Sequence, residues 1–353
     1  MKILVPDHYS QEYLEKIKQV SPEINIDILT VIRHRPFMLR ILNYLCQRIL
    51  TYSIYKKFKA YLLKSNISFL VNGKPVKEEA SDAAVLLASY QLDREVLSKL
   101  LPRLQKLQWI HSELTGVDHI LPALLDSNVK ILTNPGNVHG RRIAEFILSL
   151  ILCESKRLAQ HIELQRKKQW ENLFSRESRY LTVGIIGLGS IGSALAKLSK
   201  LLGMKVVAMD KELKYSEDVD LFVQPQQLSA LLSQSDYVVL CCSLTKETSG
   251  IIGEEQLRLM KKDAYLINTA REALIQEEAL LRALKEKWIK GAFLDVFEDV
   301  PLPYNSPFYK LDNVLVTHHS SFYSEEARAE RFNVFLENLA HYMKKEPLIN
   351  KIC

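Results

Sequence analysis

Three chemically capable groups stand just past apolar runs of strand length: Arg271 after "YLINTA", Asp295 after "GAFL", and the pair His318 and His319 after "NVLVT". An arginine guanidinium is a planar fork that can hold a carboxylate at two points and polarise a neighbouring carbonyl. A histidine can hold or give up a proton near neutral pH, and either His318 or His319 could do so. A cation for a carboxylate and carbonyl, together with a proton donor, is what a hydride transfer between 2-keto and 2-hydroxy acids requires. Taken singly, an arginine ending a strand is most often a surface charge, and a histidine pair is most often structural. Their succession along strand ends, where parallel sheets bind ligands, raises the chemical reading above those alternatives.

A hydride source is visible upstream. In "TVGIIGLGSIGSALAKLSKLLGMKVVAMD", Gly187, Gly189 and Gly192 follow an apolar strand and open a helix, and Asp210 ends a second strand 18 residues after Gly192. This is the complete context of a dinucleotide-binding turn. Gly187 permits the tight turn, Gly189 lets a pyrophosphate approach the backbone, and Gly192 lets helix pack on strand. The amides near Ser190 and Ile191 then meet the phosphates at the helix N-terminus. Asp210 can accept from the ribose hydroxyls and would repel a 2′-phosphate, which favours NAD over NADP. The adjacent Lys211 weakens that preference.

These groups need a scaffold, and the chain is long enough to supply one. It has 353 residues, 47% hydrophobic and 25% charged, sufficient for about two domains. Strand-like runs at 182–187, 205–210, 236–241, 264–268, 291–296 and 313–317 alternate with helical stretches, which predicts a parallel sheet covered on both faces. Earlier runs ("KILVP", "INIDILT", "AAVLLAS", "LQWIHS", "VKILTN") predict a second α/β unit, and the pattern from Arg141 to Trp170 reads as one long helix. No apolar run has the length of a membrane span. The start lacks a signal-peptide pattern, and Cys46, Cys153, Cys241, Cys242 and Cys353 show no metal or disulfide spacing. Reduced thiols in a cytoplasmic protein are therefore expected.

From about Trp109 to Ala329 the sequence resembles the NAD-dependent D-2-hydroxyacid dehydrogenase family. The resemblance is carried by "TGVDHI", "VGIIGLGSIG", "LTKETSGIIGEEQLRLMKKDAYLINTAR", "GAFLDVFEDVPLP" and "NVLVTHH". It implies two Rossmann-like, doubly wound domains: a discontinuous substrate domain from 1–136 and 321–353, and an NAD-binding domain from 137–320. It implies Arg271 and His319 as catalytic residues, with Thr115, Gly116 and Val117 holding the substrate carboxylate alongside Arg271. It also implies Thr269, Ala270, Asp295 and His319 at the cofactor, Asp295 near the nicotinamide carboxamide, and a homodimer. The chain departs from the family at four places. His318 replaces a usual proline, Ser243 another proline, and Glu272 a common glycine after the arginine. Most consequentially, Val300 stands where a glutamate orients the histidine. Three outcomes follow from that last departure: Glu298 or Asp299 takes over, the reaction is slow or less dependent on proton relay, or the protein is an NAD(H) sensor with little turnover.

One segment falls outside this scheme. Residues 28–77 contain ten Lys/Arg and no Asp/Glu, more positive charge than the whole chain's net +6, so the remainder is net −4. A nucleic-acid partner for the whole protein is therefore not expected. Within 33–66, apolar residues from Met38 to Tyr55 recur at helical spacing, which predicts a basic amphipathic insertion. Packing on its own domain is the ordinary role of such a helix, and membrane docking is the alternative.

Overall fold

A computed structural model of the chain describes residues 1–34, 66–71, 74–75, 83–89, 92, 94–117, 120–124, 127–212 and 216–353. The described residues form two compact units. The first takes the chain through Val138 together with Ser324–Cys353, and the second is His139–Tyr323.

The first unit is built on β1 (Lys2–Pro6), β2 (Asn25–His34), β3 (Asn66–Val71), β4 (Lys74–Pro75), β5 (Val85–Ala88), β6 (Trp109–Ser112) and β7 (Ile131–Thr133), in the order β4-β3-β2-β1-β5-β6-β7. Strands β2-β1-β5-β6-β7 are parallel, a doubly wound order, while β3 and β4 add an antiparallel edge. Both faces are covered. Leu4, Leu86 and Ile110 face Leu97 and Leu100 on one side. Ile3, Val85 and Trp109 face Phe332 and Phe335 of the C-terminal helix Glu325–Lys344 on the other. Alternate residues of each strand therefore serve opposite cores, and the strands read as unbroken apolar runs. The outer edge of β7 is met by the chain terminus: Ile352 donates to the Leu132 carbonyl and Leu132 to the Cys353 carbonyl.

The predicted basic helix lies almost wholly outside the described residues. Its described ends are strand instead: Arg33 and His34 close β2 and pair antiparallel with Ile67 and Asn66 of β3.

The second unit carries β8 (Thr182–Ile186), β9 (Lys205–Met209), β10 (Leu221–Val223), β11 (Tyr237–Leu240), β12 (Tyr265–Asn268), β13 (Gly291–Leu294) and β14 (Val314–Val316). All run parallel in the order β10-β9-β8-β11-β12-β13-β14. The order reverses direction at β8, so the crevice for a ligand lies beyond the carboxyl ends of β8 and β11. Val183, Ile185 and Val239 pack under Ile143 and Ile147, while Ile186, Val238 and Leu240 pack under Leu231, Leu257 and Leu280. The helical run predicted from Arg141 to Trp170 is two helices, Gly140–Ser155 and Leu158–Lys167, separated where Arg157 turns left-handed (φ 58°).

Candidate active site

The turn after β8 is shaped by contacts that exclude side chains. Gly187 has φ 101°, and a Cβ there would lie 2.6 Å from the Cys242 backbone nitrogen. A Cβ on Gly192 would lie 2.0 Å from the Gly187 carbonyl, so helix Ser190–Leu201 can start this close to β8 only with glycine. Over Gly189 nothing lies within 4 Å. Gly189 and Ser190 are exposed and Ile191 half-buried at the start of a 12-residue helix, whose first amides lack intrahelical acceptors. Asp210, at the end of β9, accepts from the Leu188 amide at 2.7 Å, so the carboxylate also braces the turn. An open anion-binding helix start beside a carboxylate one strand away fits a dinucleotide.

The second group of candidates lies at the ends of β12, β13 and β14. Asn268, Leu294 and Val316 stand abreast across the three strands, so the loops that follow leave from one edge. The loop after β12 is clamped by buried Asn268: its side-chain amide donates to the Arg271 carbonyl at 2.8 Å, and its oxygen accepts from the Ala270 amide at 3.0 Å. This fixes Thr269, Ala270 and Arg271. Thr269 is itself buried, and its hydroxyl has no hydrogen-bond partner among the described residues.

Asp295 is 1% exposed and ties the loop after β14 to the sheet. Its carboxylate accepts from the Thr317 hydroxyl at 2.6 Å, the Ser320 amide at 2.8 Å and the Ser321 amide at 3.1 Å. Three of about four lone-pair sites are thereby used. The Asp295 carbonyl accepts from the His319 amide at 2.9 Å. His319 is held with φ 52°, its ring edge-on to Phe322 at 5.4 Å, while His318 is exposed. His319 stays open to solvent as a residue, yet crowding about its ring lowers its pKa below the ordinary value. Asp295 opposes that shift, Arg271 adds to it, and Glu272 opposes it. Val300 is 72% exposed, Glu298 is exposed and Asp299 is buried.

In the first unit, the Thr115 hydroxyl donates to the Gly136 carbonyl at 3.0 Å, and Asn134 donates to the Thr115 carbonyl at 2.7 Å. Thr115 is exposed, Gly116 half-buried and Val117 buried. The residues that brace these loops, Asn268, Asn134, Thr317, Ser320 and Ser321, do not stand out by type. The signal available was an asparagine at the end of a buried strand, at 268 and again at 134.

A doubly wound parallel sheet with a glycine turn at its switch point, and an arginine and a histidine on the ends of the two strands that flank β13, defines a dinucleotide-dependent oxidoreductase. The NAD binding domain of D-isomer specific 2-hydroxyacid dehydrogenases matches residues 148–321. A glyoxylate reductase of Thermofilum pendens is 38% identical over 283 residues, covering 76% of this chain and 81% of that protein. One from Korarchaeum cryptofilum is 34% identical over 271 residues, covering 75% and 80%. A D-isomer specific 2-hydroxyacid dehydrogenase family protein from Aeromonas salmonicida superimposes with a TM-score of 0.77 at 25% identity, covering 100% of this chain and 98% of that one. The chain belongs to the D-isomer specific 2-hydroxyacid dehydrogenase family. It is an NAD-dependent oxidoreductase that transfers hydride on 2-keto and 2-hydroxy acids.

Proposed function

We propose that the protein reduces a small 2-keto acid of the glyoxylate type with NADH, at a rate limited by the valine at position 300. The observation that carries this reading is the common edge formed by β12, β13 and β14, from which the Arg271 and His319 loops both leave, each clamped by a buried polar side chain. Similarity to glyoxylate reductases supports the substrate class.

In this proposal the described residues of 1–136 and 321–353 form the substrate domain and 137–320 the cofactor domain. Bound NADH supplies the hydride. The amides of Gly189, Ser190, Ile191 and Gly192 bind its pyrophosphate behind the Gly187 turn, Asp210 binds its ribose, and Thr269, Ala270 and Asp295 border its nicotinamide end. Arg271 and the Thr115–Gly116–Val117 amides bind the substrate carboxylate, and Arg271 also draws charge onto the carbonyl oxygen. The His319 imidazolium donates its proton to that oxygen as the carbonyl carbon becomes tetrahedral, and the neutral ring is left. Reduction therefore needs protonated His319. Because the pKa of His319 is lowered, the reductive rate falls as pH rises through a value below the ordinary 6.5 or so.

The alternative of an NAD(H)-binding sensor is favoured by one observation: position 300 offers no carboxylate and its side chain faces solvent. A homodimer is also proposed, supported by the exposed apolar residues Leu158, Ile162, Trp170 and Phe174 of the second unit.

NADH oxidation with a panel of small 2-keto acids, together with NADH titration of the wild type and Asp210→Ala, separates these readings. Turnover of glyoxylate or hydroxypyruvate, with NADH affinity at least about tenfold weaker in Asp210→Ala, is expected. Tight NADH binding without turnover of any keto acid would favour the sensor, and absence of NADH binding would overturn both.

A further inference from the structure

We propose that the depression at the amino ends of β12, β13 and β14 is a binding site for a small anion carrying several phosphate groups.

Arg271 and His319 follow the carboxyl ends of β12 and β14. At the opposite end of the sheet, Tyr265 of β12 stands beside Gly291 of β13, and Ala292 of β13 beside Val314 of β14, so the segments leading into the three strands arrive together. Among them lies a concavity of about 630 Å³. Small-molecule sites span roughly 300–1,000 Å³, so this one has room for a metabolite. It is lined by Lys262 before β12, by Lys285, Lys287 and Lys290 before β13, and by Lys310 before β14, with Asp312 as the one carboxylate of the lining.

The lysines are of two kinds. Lys290 is half-buried and committed: its ammonium pairs with Glu154 at 2.7 Å and lies over the Tyr265 ring at 5.2 Å. Lys262, Lys285, Lys287 and Lys310 are exposed and make no ion pair among the described residues. With Glu154 set against Lys290 and Asp312 against one of the others, three positive charges remain around one hollow. These repel one another, and an anion held among them turns that repulsion into attraction, more strongly in a concavity than on open surface. Lysines near a helix end ordinarily complement its exposed carbonyls, which accounts for Lys285 and Lys287 at the end of helix Glu277–Lys285. It does not account for Lys262 and Lys310, which reach the same hollow from other segments.

The backbone under the lysines is fixed in advance. The Asn313 side-chain amide donates to the Leu284 carbonyl at 3.2 Å and to the Lys290 carbonyl at 3.3 Å. The Lys290 amide donates to the Ala264 carbonyl and the Trp288 amide to the Ala283 carbonyl, each at 2.9 Å, and Lys287 is held left-handed with φ 57°. A ligand therefore orders side chains only, which lowers the cost of binding. The lining also selects its chemistry. Its cations are all ammonium groups, with no guanidinium among them. A planar carboxylate is best met by the arginine fork, whereas compact phosphate groups accept from several point charges at once. No aromatic side chain lines the hollow, so it offers a nucleobase no stacking platform. Recognition falls on the phosphates themselves.

The test is calorimetric titration of the full-length protein with tripolyphosphate, orthophosphate and ATP, with and without saturating NADH. Three proteins are compared: wild type, Lys262→Gln with Lys310→Gln, and Lys344→Gln with Lys345→Gln, the last two positions being exposed lysines of the first unit. Wild type should bind one tripolyphosphate per chain, at least about tenfold more tightly than orthophosphate and equally well with NADH present. The Lys262, Lys310 variant should bind it roughly tenfold more weakly, and the Lys344, Lys345 variant as wild type does. ATP should match tripolyphosphate, and binding of ATP alone would overturn the phosphate reading in favour of a nucleotide pocket. Loss of tripolyphosphate binding when NADH is added would place the anion at the glycine turn, and equal weakening in both double variants would reduce the effect to net charge. Either result overturns the proposal. So would the absence of both binding heat and a raised thermal midpoint at low ionic strength. None of these measurements depends on turnover, so the outcome stands apart from that of the reductase reading.

Discussion

At the scale of single residues, His319, the proposed proton donor, stands between crowding, which lowers its pKa, and the Asp295 carboxylate, which opposes that shift. Val300→Glu adds a carboxylate on the loop after β13. It is expected to raise reductive kcat at neutral pH by about tenfold or more. Equal rates with and without the added carboxylate at every pH would mean that the loop directs position 300 away from the ring. A second histidine sets acid sensitivity. His111, 1% exposed beside Trp109, has its Nδ1 at 2.8 Å from the Thr133 hydroxyl, and burial lowers its pKa to about 3. Unfolded, it would titrate near 6.5, so between these values the unfolded chain binds the extra proton. Its neutral form is compatible with the fold above pH ~6.5, and stability erodes by up to ~1.4 kcal/mol per unit as pH falls from there toward 3. Urea midpoints measured at pH 7 and 5 should diverge less in His111→Phe than in wild type. An equal divergence would assign the acid sensitivity to other groups.

At the scale of elements, polar clamps at strand ends do the positioning. Asn268→Ala removes two hydrogen bonds that hold Ala270 and Arg271, and it should raise keto-acid KM more than it affects NADH binding, with a stability loss of about 1–3 kcal/mol. Steady-state kinetics with thermal denaturation would show this, and a lowered NADH affinity at constant KM would count against it. The sequence shows strands β8, β9, β11, β12 and β13 because each is a run buried on both faces, and it shows the glycine turn because Gly187 and Gly192 leave no room for a side chain. It does not show the break at Arg157, since a left-handed residue between two helical stretches leaves their periodicity nearly intact. Strand β10, only Leu221–Val223, is too short to stand out from a loop. Strand β3 does not stand out because it lies in the basic stretch 28–77, just past the run from Met38 to Tyr55 whose spacing points to a helix. The clamps were hidden for another reason: their partners, such as Asp295 and Ser321, are 26 residues apart and meet only through the sheet. The chemical groups were legible, but what aims them was not.

At the scale of the whole molecule, Trp170 is 97% exposed and Phe174 is 92% exposed, a large apolar area for one short stretch of the second unit. If a second copy covers it, light scattering after size exclusion should give twice the chain mass for wild type and a shift toward the monomer for the Trp170→Ala, Phe174→Ala pair. A monomeric wild type would remove this stretch as the subunit contact.

The seam between Leu132, Ile352 and Cys353 has a bearing on the order of events during synthesis. The first unit is unfinished until residues 325–353 have been made, because its edge strand β7 is met by Ile352 and Cys353 and its core is closed by helix Glu325–Lys344. The described residues of the second unit lie in one stretch of sequence, His139–Tyr323, and can settle as soon as that stretch emerges. The unit whose strands are translated earlier is therefore closed later than the one that follows it in sequence, and it waits with an open edge while that neighbour is already folded.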